Sequence, residues 1–489
     1  MNKIYKVIWS KVRNCYVAVS EIAKRNGKSC TSVNCGAKAN RGHAGMALAI
    51  ALSLSMAGGG VAGAEDVTVT EPSKTIYSTD TAAATTSYIL NRTGSTIDSA
   101  AGTGVTFTVE NGGKVYLVTS YKSGNIIKIK EGGEVLCTGT AIKGGINNNS
   151  VTVEGTVKGE VNGGNIENST SYSGLMGNDV TNNTVTVKGN AVITGGQLIG
   201  GHSYTGNVTS NSVEIIGGNV NVSSVYGGYS SSGNAGGVDI VNGNTVTKQG
   251  NTVTISGGTV RSNVYGGYVG SGSSSAQNNN VSISGTSTIG SSDNSSTIYG
   301  GRAVKNATNN TVNINLTTNG KIWGNVYGGW VNNNSPVAKD NSVTVDAGEI
   351  SGDVYGGFAL IGGSVEGNSV SMKGTVGGNI YGGIIGSAHS DASLNKNVEN
   401  NHVTITNGTV TGAVYGGSNA GTGSTINNSV TINGGTVTST VFGGYSKTGN
   451  VGGTNAEDRN TVTITDGTIG NNIFGGYVDR ESGSAQNNN

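Results

Sequence analysis

Few residues in this sequence have types and spacings suited to acid–base or metal chemistry. The histidines His43, His202, His389 and His402 are scattered, and only His402 adjoins a predicted strand. No H-E-x-x-H zinc motif and no G-x-S-x-G nucleophile motif occurs. The carboxylates are sparse and form no pair of the kind a glycosidase uses. We therefore predict no enzymatic activity, no metal and no cofactor. A polysaccharide-acting solenoid enzyme is the alternative, because stacked coils bring distant residues within about 5 Å.

The cysteines and charges set the N terminus apart from the rest of the chain. Cys15, Cys30 and Cys35 all lie near the start, so Cys137 has no partner for an internal disulfide later in the sequence. Of the 29 basic and 28 acidic residues, nine basic ones but only one acid (Glu21) fall within residues 1–43. The remainder is net acidic. Nucleic-acid binding needs clustered Lys and Arg, so no nucleic-acid partner is expected.

A signal peptide is predicted between residues 41 and 64. Residues 46–56 are uncharged and predominantly apolar, but this stretch is shorter than the ~20 residues that a membrane span requires. The small residues Ala62, Gly63 and Ala64 fit the A-x-A pattern of signal-peptidase sites. Cleavage is therefore expected between Ala64 and Glu65.

The residues before this signal peptide have a character of their own. Residues 1–28, MNKIYKVIWSKVRNCYVAVSEIAKRNGK, are basic and amphipathic. This stretch resembles the extended signal peptide region of type V secretion proteins, which are autotransporters and two-partner exoproteins; we assign residues 1–40 to it. The resemblance implies export by the Sec translocon and processing by signal peptidase. It further implies an outer-membrane translocator barrel as partner, and a passenger at the cell surface or in the extracellular space.

Repetition dominates the chain from residue 147 to residue 489. The unit is N-x-V-x-[V/I], a Gly turn, a single Val or Ile, and then [V/I]-[Y/F]-G-G, recurring about every 31 residues. Apolar residues two apart share one face of a strand. With 85 Gly and only 2 Pro among 489 residues, this pattern predicts an all-β, right-handed parallel β-helix with three strands per coil. Residues 65–146 are expected to form an N-terminal cap with early irregular coils, and the segment returning to the next unit is expected to vary freely.

An asparagine stands two residues before the first Val of every unit. We interpret this column as a sharp corner in the left-handed conformation or as a hydrogen-bonded amide ladder. A row of ligand contacts is the functional alternative. The column contains Asn149, Asn183, Asn211, Asn251, Asn279, Asn310, Asn341, Asn368, Asn401, Asn428 and Asn460.

Aromatic residues form two further columns around the Gly pair. The first holds Tyr or Phe directly before the two glycines, and stacking at a corner of the solenoid explains it. The second follows the glycines, and it is either structural or a stripe for glycan contact. Its members are Tyr229, Tyr268, Trp330, Phe358, Tyr445 and Tyr477, with Phe358 left out of the proposed glycan contacts.

The most economical function is a surface-exposed or released autotransporter passenger acting as an adhesin-like structural rod. The contact candidates are the long return segments near 230–250, 384–400 and 446–459, and the host or bacterial partner is undetermined. The alternatives are a polysaccharide-acting enzyme and a non-binding spacer of a two-partner exoprotein. Residues 483–489 repeat a sequence that earlier leads straight into a strand, so we expect the passenger to stop short of a translocator barrel.

Overall fold

The chain divides into two compact units, Met1–Glu65 and Asp66–Asn489. In the first, Tyr5–Ser10 pairs antiparallel with Cys15–Ser20. The apolar stretch 46–56 and the predicted cleavage residues Ala64 and Glu65 lie outside the described residues. The computed structural model describes residues 5–10, 15–20, 66–69, 73–76, 87–90, 95–99, 104, 106–120, 123–166, 177–237, 239–241, 244–246, 250–332, 336–480 and 482–489.

The second unit is built on one sheet of 40 strands in which equivalent strands of successive coils pair in parallel. We call the column formed by the N-x-V-x-[V/I] strands face 1. Alternation of apolar and small polar residues makes these segments strands, as in Thr252–Ile255, where Val253 and Ile255 are buried. Face 1 contains Asp66–Val69, Ser87–Leu90, Thr106–Val109, Ile126–Ile129, Ser150–Val153, Thr184–Val187, Ser212–Ile215, Thr252–Ile255, Asn280–Gly285, Thr311–Leu316, Ser342–Ala347, Ser369–Met372, His402–Ile405, Ser429–Val437 and Thr461–Ile469.

Two more columns complete the main sheet. Face 2 follows the Gly turn and consists of Glu134–Val135, Thr156–Val157, Val192–Thr194, Asn219–Asn221, Thr259–Val260, Thr288–Ile289, Lys321–Ile322, Glu349–Ile350, Thr375–Val376 and Thr409–Val410, continued by the ends of the last two face 1 strands. Face 3 carries the glycine pairs in its later coils. It consists of Ser73–Ile76, Ser95–Ser99, Lys114–Ser120, Thr140–Lys143, Glu160–Ile166, Leu198–Ser203, Ser224–Ser230, Asn263–Val269, Ile298–Ala303, Val326–Val331, Val354–Ala359, Ile380–Ile385, Val414–Asn419, Val441–Ser446 and Ile473–Val478.

The register confirms the predicted parallel β-helix. Val253 lies opposite Val281 and Ile255 opposite Ile283, so each coil repeats the side chains of the one before it. The inward Val and Ile residues of the three faces are almost fully buried in one continuous core. Burying each such side chain contributes about 1.5–3 kcal/mol, so many small apolar residues replace the large Leu and Phe of a globular core.

The return segments vary in length, but they contain regular strands that the sequence pattern does not predict. They form a fourth parallel column, face 4, that packs on the last residues of face 3; Val331, Ala359 and Ile385 there meet Ala338 and Val365 of face 4 in a second core. Such two- to five-residue strands carry too little alternation to be recognised from sequence. Face 4 contains Val180–Thr181, Val208–Thr209, Ser275–Gln277, Asn306–Thr308, Val337–Lys339, Gly363–Glu366, Asn395–Glu399 and Thr425–Ile426, with single bridges at Ala235, Val451 and Ala485.

Extra chain length is accommodated on either side of face 4. An antiparallel hairpin, Asp239–Val241 with Asn244–Val246, precedes one face 1 strand. The 3-10 helix Ala392–Leu394 lies between faces 3 and 4, and the 3-10 helix Ala456–Asp458 lies between faces 4 and 1. These insertions fall within the three return segments singled out from the sequence.

Candidate functional site

The asparagine column is a continuous hydrogen-bonded ladder inside the molecule. Asn251 donates both its backbone N–H and its Nδ2 to Oδ1 of Asn279, each at 3.0 Å, and Asn279 repeats both bonds to Asn310. The Nδ2 of Asn251 also donates to the carbonyl of Val208 in face 4 at 2.8 Å. The amide therefore joins adjacent coils and ties face 4 to face 1.

Two rungs lie beyond those found in the sequence. Asn125 donates its N–H to Asn149 at 3.0 Å, and Asn460 donates its Nδ2 to Asn488 at 2.9 Å. The face 3 strand before Asn125, Lys114–Ser120, contains no glycine pair, so the full repeat pattern does not include Asn125. The short pattern of Asn two residues before an inward Ile was the available signal.

The left-handed conformation belongs to the residue before most rungs, which corrects the sequence interpretation; Arg459, before Asn460, has a φ of −68° instead. Asn400 has a φ of 58° and Asn427 a φ of 50°, whereas their neighbours Asn401 and Asn428 are fully buried rungs. The chain reverses at this polar residue, which is half-buried or exposed, and the reversal turns the next side chain inward. The same position holds Asn148, Asn182, Ser210, Asn278, Asn309, Asp340 and Asn487.

The glycine pair exists because of the ladder. A Cβ placed on the second glycine, Gly357, would lie 2.4 Å from side-chain atoms of Asn368. One on the first glycine, Gly356, would lie 2.4 Å from the carbonyl oxygen of Gly382 in the next coil. Only glycine permits these approaches. The repeated Y-G-G element thus meets a packing requirement rather than forming a ligand loop.

The first aromatic column is a continuous stack. Ring centroids of successive coils are 4.4 to 5.3 Å apart, from Tyr226 through Phe474. Burial raises the pKa of the Tyr226, Tyr299 and Tyr381 hydroxyls above the ordinary tyrosine value. The Tyr355 hydroxyl donates to Asp353 Oδ2 at 2.8 Å. Such rings stabilise the corner of the coil.

The second aromatic column is half-buried and broken. Its rings contact the first column largely edge-on, as between Tyr268 and Tyr265 at 5.2 Å and 72°. Arg302, Ile384 and Ser418 occupy the column in other coils. The proposed glycan-contact residues therefore form two groups, Tyr229, Tyr268 and Trp330 around Arg302, and Tyr445 with Tyr477 farther along.

Trp330 has a side-chain neighbour on each side, from the preceding and the next coil. The Arg302 guanidinium carbon of the preceding coil lies 4.5 Å from its ring centroid, and Phe358 of the next coil stacks at 6.4 Å and 3°. These two neighbours restrict the stacking of a sugar ring on this indole. Arg302, Trp330 and Tyr268 are each half-buried and each carries a hydrogen-bond donor.

The histidines serve different local roles. His202 stacks on Tyr229 at 4.7 Å, His402 Nδ1 lies 2.8 Å from Ser429 Oγ, and His389 Nδ1 accepts from the Asp391 N–H. Among the described residues, no group of three His, Cys, Asp or Glu side chains is arranged to hold a metal ion. Two shallow clefts, of about 280 and 510 Å³, lie at turns beside Glu154 and Glu349 respectively.

Comparison with known protein families identifies the N-terminal segment of the chain. Residues 1–57 match the family described as the extended signal peptide of the type V secretion system. No curated protein and no solved structure matches the chain. Within the part of the chain that the structure describes, no helix is long and apolar enough to cross a membrane. The chain thus carries a type V secretion signal, which implies Sec export and a translocator, ahead of a parallel β-helical passenger.

Proposed function

We propose that the passenger is a non-enzymatic, adhesin-like structural rod that acts in attachment or aggregation outside the cell. The observation that carries the proposal is the combination of a type V secretion signal with a ladder-stiffened solenoid whose longest insertions fall in the return segments. A rigid stack with variable surface insertions suits multivalent contact with a surface, in which weak contacts add up.

The segment before face 4 near residue 390 is the best contact candidate. Asp391 accepts from the Ser393 N–H at 2.9 Å, and Asn395 accepts from the His389 N–H at 2.7 Å, so the insertion has a defined shape. Asp391 and Ser393 are exposed. An ordered, exposed polar segment loses little conformational entropy when it binds.

Beads coated with the purified chain test the proposal. We expect them to aggregate or to adhere to epithelial cells, and replacement of residues 386–394 by the short segment 360–362 of the preceding coil to weaken that behaviour. Retained circular dichroism of the replaced chain controls for folding. Beads that neither aggregate nor adhere would favour the spacer, and turnover of a polysaccharide by the chain would favour the enzyme.

A further inference from the structure

Arg302 is a half-buried cation without a carboxylate partner among the described residues. Its guanidinium carbon lies 4.5 Å from the ring centroid of Trp330, 5.2 Å from Tyr268 and 5.6 Å from Tyr299. Within the described part of the chain, its one side-chain hydrogen bond is from Nη1 to the Tyr265 hydroxyl at 3.4 Å. Guanidinium has five N–H donors, so several of them are left for another acceptor.

The ion pairs elsewhere in the described residues differ from this arrangement. Within the described residues, each paired lysine meets an acid of a neighbouring coil, for example Lys339 with Glu366 at 2.9 Å and Lys373 with Asp346 at 2.7 Å. These pairs are largely exposed and need no burial. Arg302 instead takes an aromatic position in face 3, where burial disfavours an uncompensated charge. Its aromatic neighbours offset part of that cost through cation–π attraction.

The surroundings indicate what an external partner must supply. Arginine held among aromatic rings is pre-organised to bind a carboxylate or a sulfate through two parallel N–H bonds. Tyr268 and Trp330, on either side in the same column, each carry a further hydrogen-bond donor and are half-buried. An anion surrounded by hydroxyl groups matches this set of donors.

We propose that Arg302, Tyr268 and Trp330 bind an acidic saccharide. Its carboxylate or sulfate pairs with Arg302, and its hydroxyls form hydrogen bonds with the Tyr268 hydroxyl and the Trp330 indole N–H. The inference rests on the proposed attachment function and names the ligand class for one face of the rod. It replaces the idea of a long aromatic stripe by a single charged position. Sugar selectivity then depends on the anion rather than on ring stacking.

The test is biolayer interferometry of the purified chain against immobilised sialyllactose, sulfated lactose and lactose. We expect the two acidic sugars to bind at least tenfold more tightly than lactose, with an affinity that falls as salt rises. Arg302→Gln should abolish the preference. Arg302→Lys should weaken it, since lysine cannot make the bidentate contact. Lys305→Gln, which removes an exposed cation three residues away, should leave it unchanged.

Each outcome decides one point. Equal binding of lactose and the acidic sugars would overturn the assignment, as would binding of polyglutamate as tight as that of the acidic sugars. It would also be overturned if Lys305→Gln lost the preference for acidic sugars as fully as Arg302→Gln. Tighter binding of sialyllactose would identify a carboxylate as the anion, and tighter binding of sulfated lactose would identify a sulfate. If Arg302→Gln fails to fold, the salt dependence and sugar preference of the unmodified chain still decide. Bead adhesion without acidic-sugar binding would refute the saccharide site alone, whereas loss of both would refute the attachment function.

Discussion

Truncation of one ladder rung, Asn341→Ala, is the sharpest test of how the coils are held together. Asn341 is fully buried, and its Oδ1 accepts from the N–H and the Nδ2 of Asn310 at 3.1 and 2.9 Å. Both donors lose this acceptor in the variant, and the Ala307 carbonyl loses its donor. A buried group left without a partner costs about 1–3 kcal/mol, so the two donors predict a loss of roughly 2–6 kcal/mol.

Urea unfolding followed by circular dichroism measures this loss, and hydrogen exchange locates it. Because each coil contacts only its neighbours, protection should fall chiefly in the coils that contain Asn310, Asn341 and Asn368. The matched control is Asn315→Ala, the same truncation at an exposed position of face 1. It should change the free energy of unfolding by less than about 0.5 kcal/mol. Equal effects of the two variants would refute the ladder as a source of stability.

Three further predictions follow from the same packing. Gly357→Ala should cost about 2–4 kcal/mol in urea unfolding, because its Cβ would displace the neighbouring rung, whereas Gly177→Ala, where a Cβ meets nothing, should be nearly neutral. Burial raises the pKa of Tyr327 in the folded state, so this residue should not affect the pH dependence of stability below about pH 10. Above that pH the free energy of unfolding should fall by about 1.4 kcal/mol per pH unit for each such tyrosine. Tyr327→Phe should make this fall less steep when urea unfolding is measured at a series of pH values. Lys373→Ala breaks an exposed ion pair with Asp346 and should change the free energy of urea unfolding by less than about 1 kcal/mol. A loss as large as that of Asn341→Ala would contradict this prediction.

Much of the fold was predictable from the sequence because stacking multiplies a weak local signal. Two inward residues such as Val253 and Ile255 are an ordinary strand pattern, but their recurrence in every unit fixes both the strand and its parallel register. The extended signal region was likewise recognisable from its own residues and matches the type V family.

What the sequence did not reveal depends on contacts between segments. Face 4 arises because residues such as Ala338 and Val365 lie beside the end of face 3, and neither position shows a strand pattern alone. The role of Gly357 depends on where Asn368 places its amide. Arg302 does not stand out in the sequence, because its aromatic neighbours Tyr268 and Trp330 belong to the coils before and after it.

The contact between the second glycine and the ladder asparagine also determines where the chain can lengthen. Gly301 meets Asn310 after a short return segment, and Gly228 meets Asn251 after one more than twice as long, yet the contact is the same. Since the two ends are already held together, doubling the intervening loop costs only about 0.6 kcal/mol of closure entropy. The return segments are therefore natural graft sites, at which foreign peptides can be inserted and surface variants can diverge while the stack beneath them is preserved.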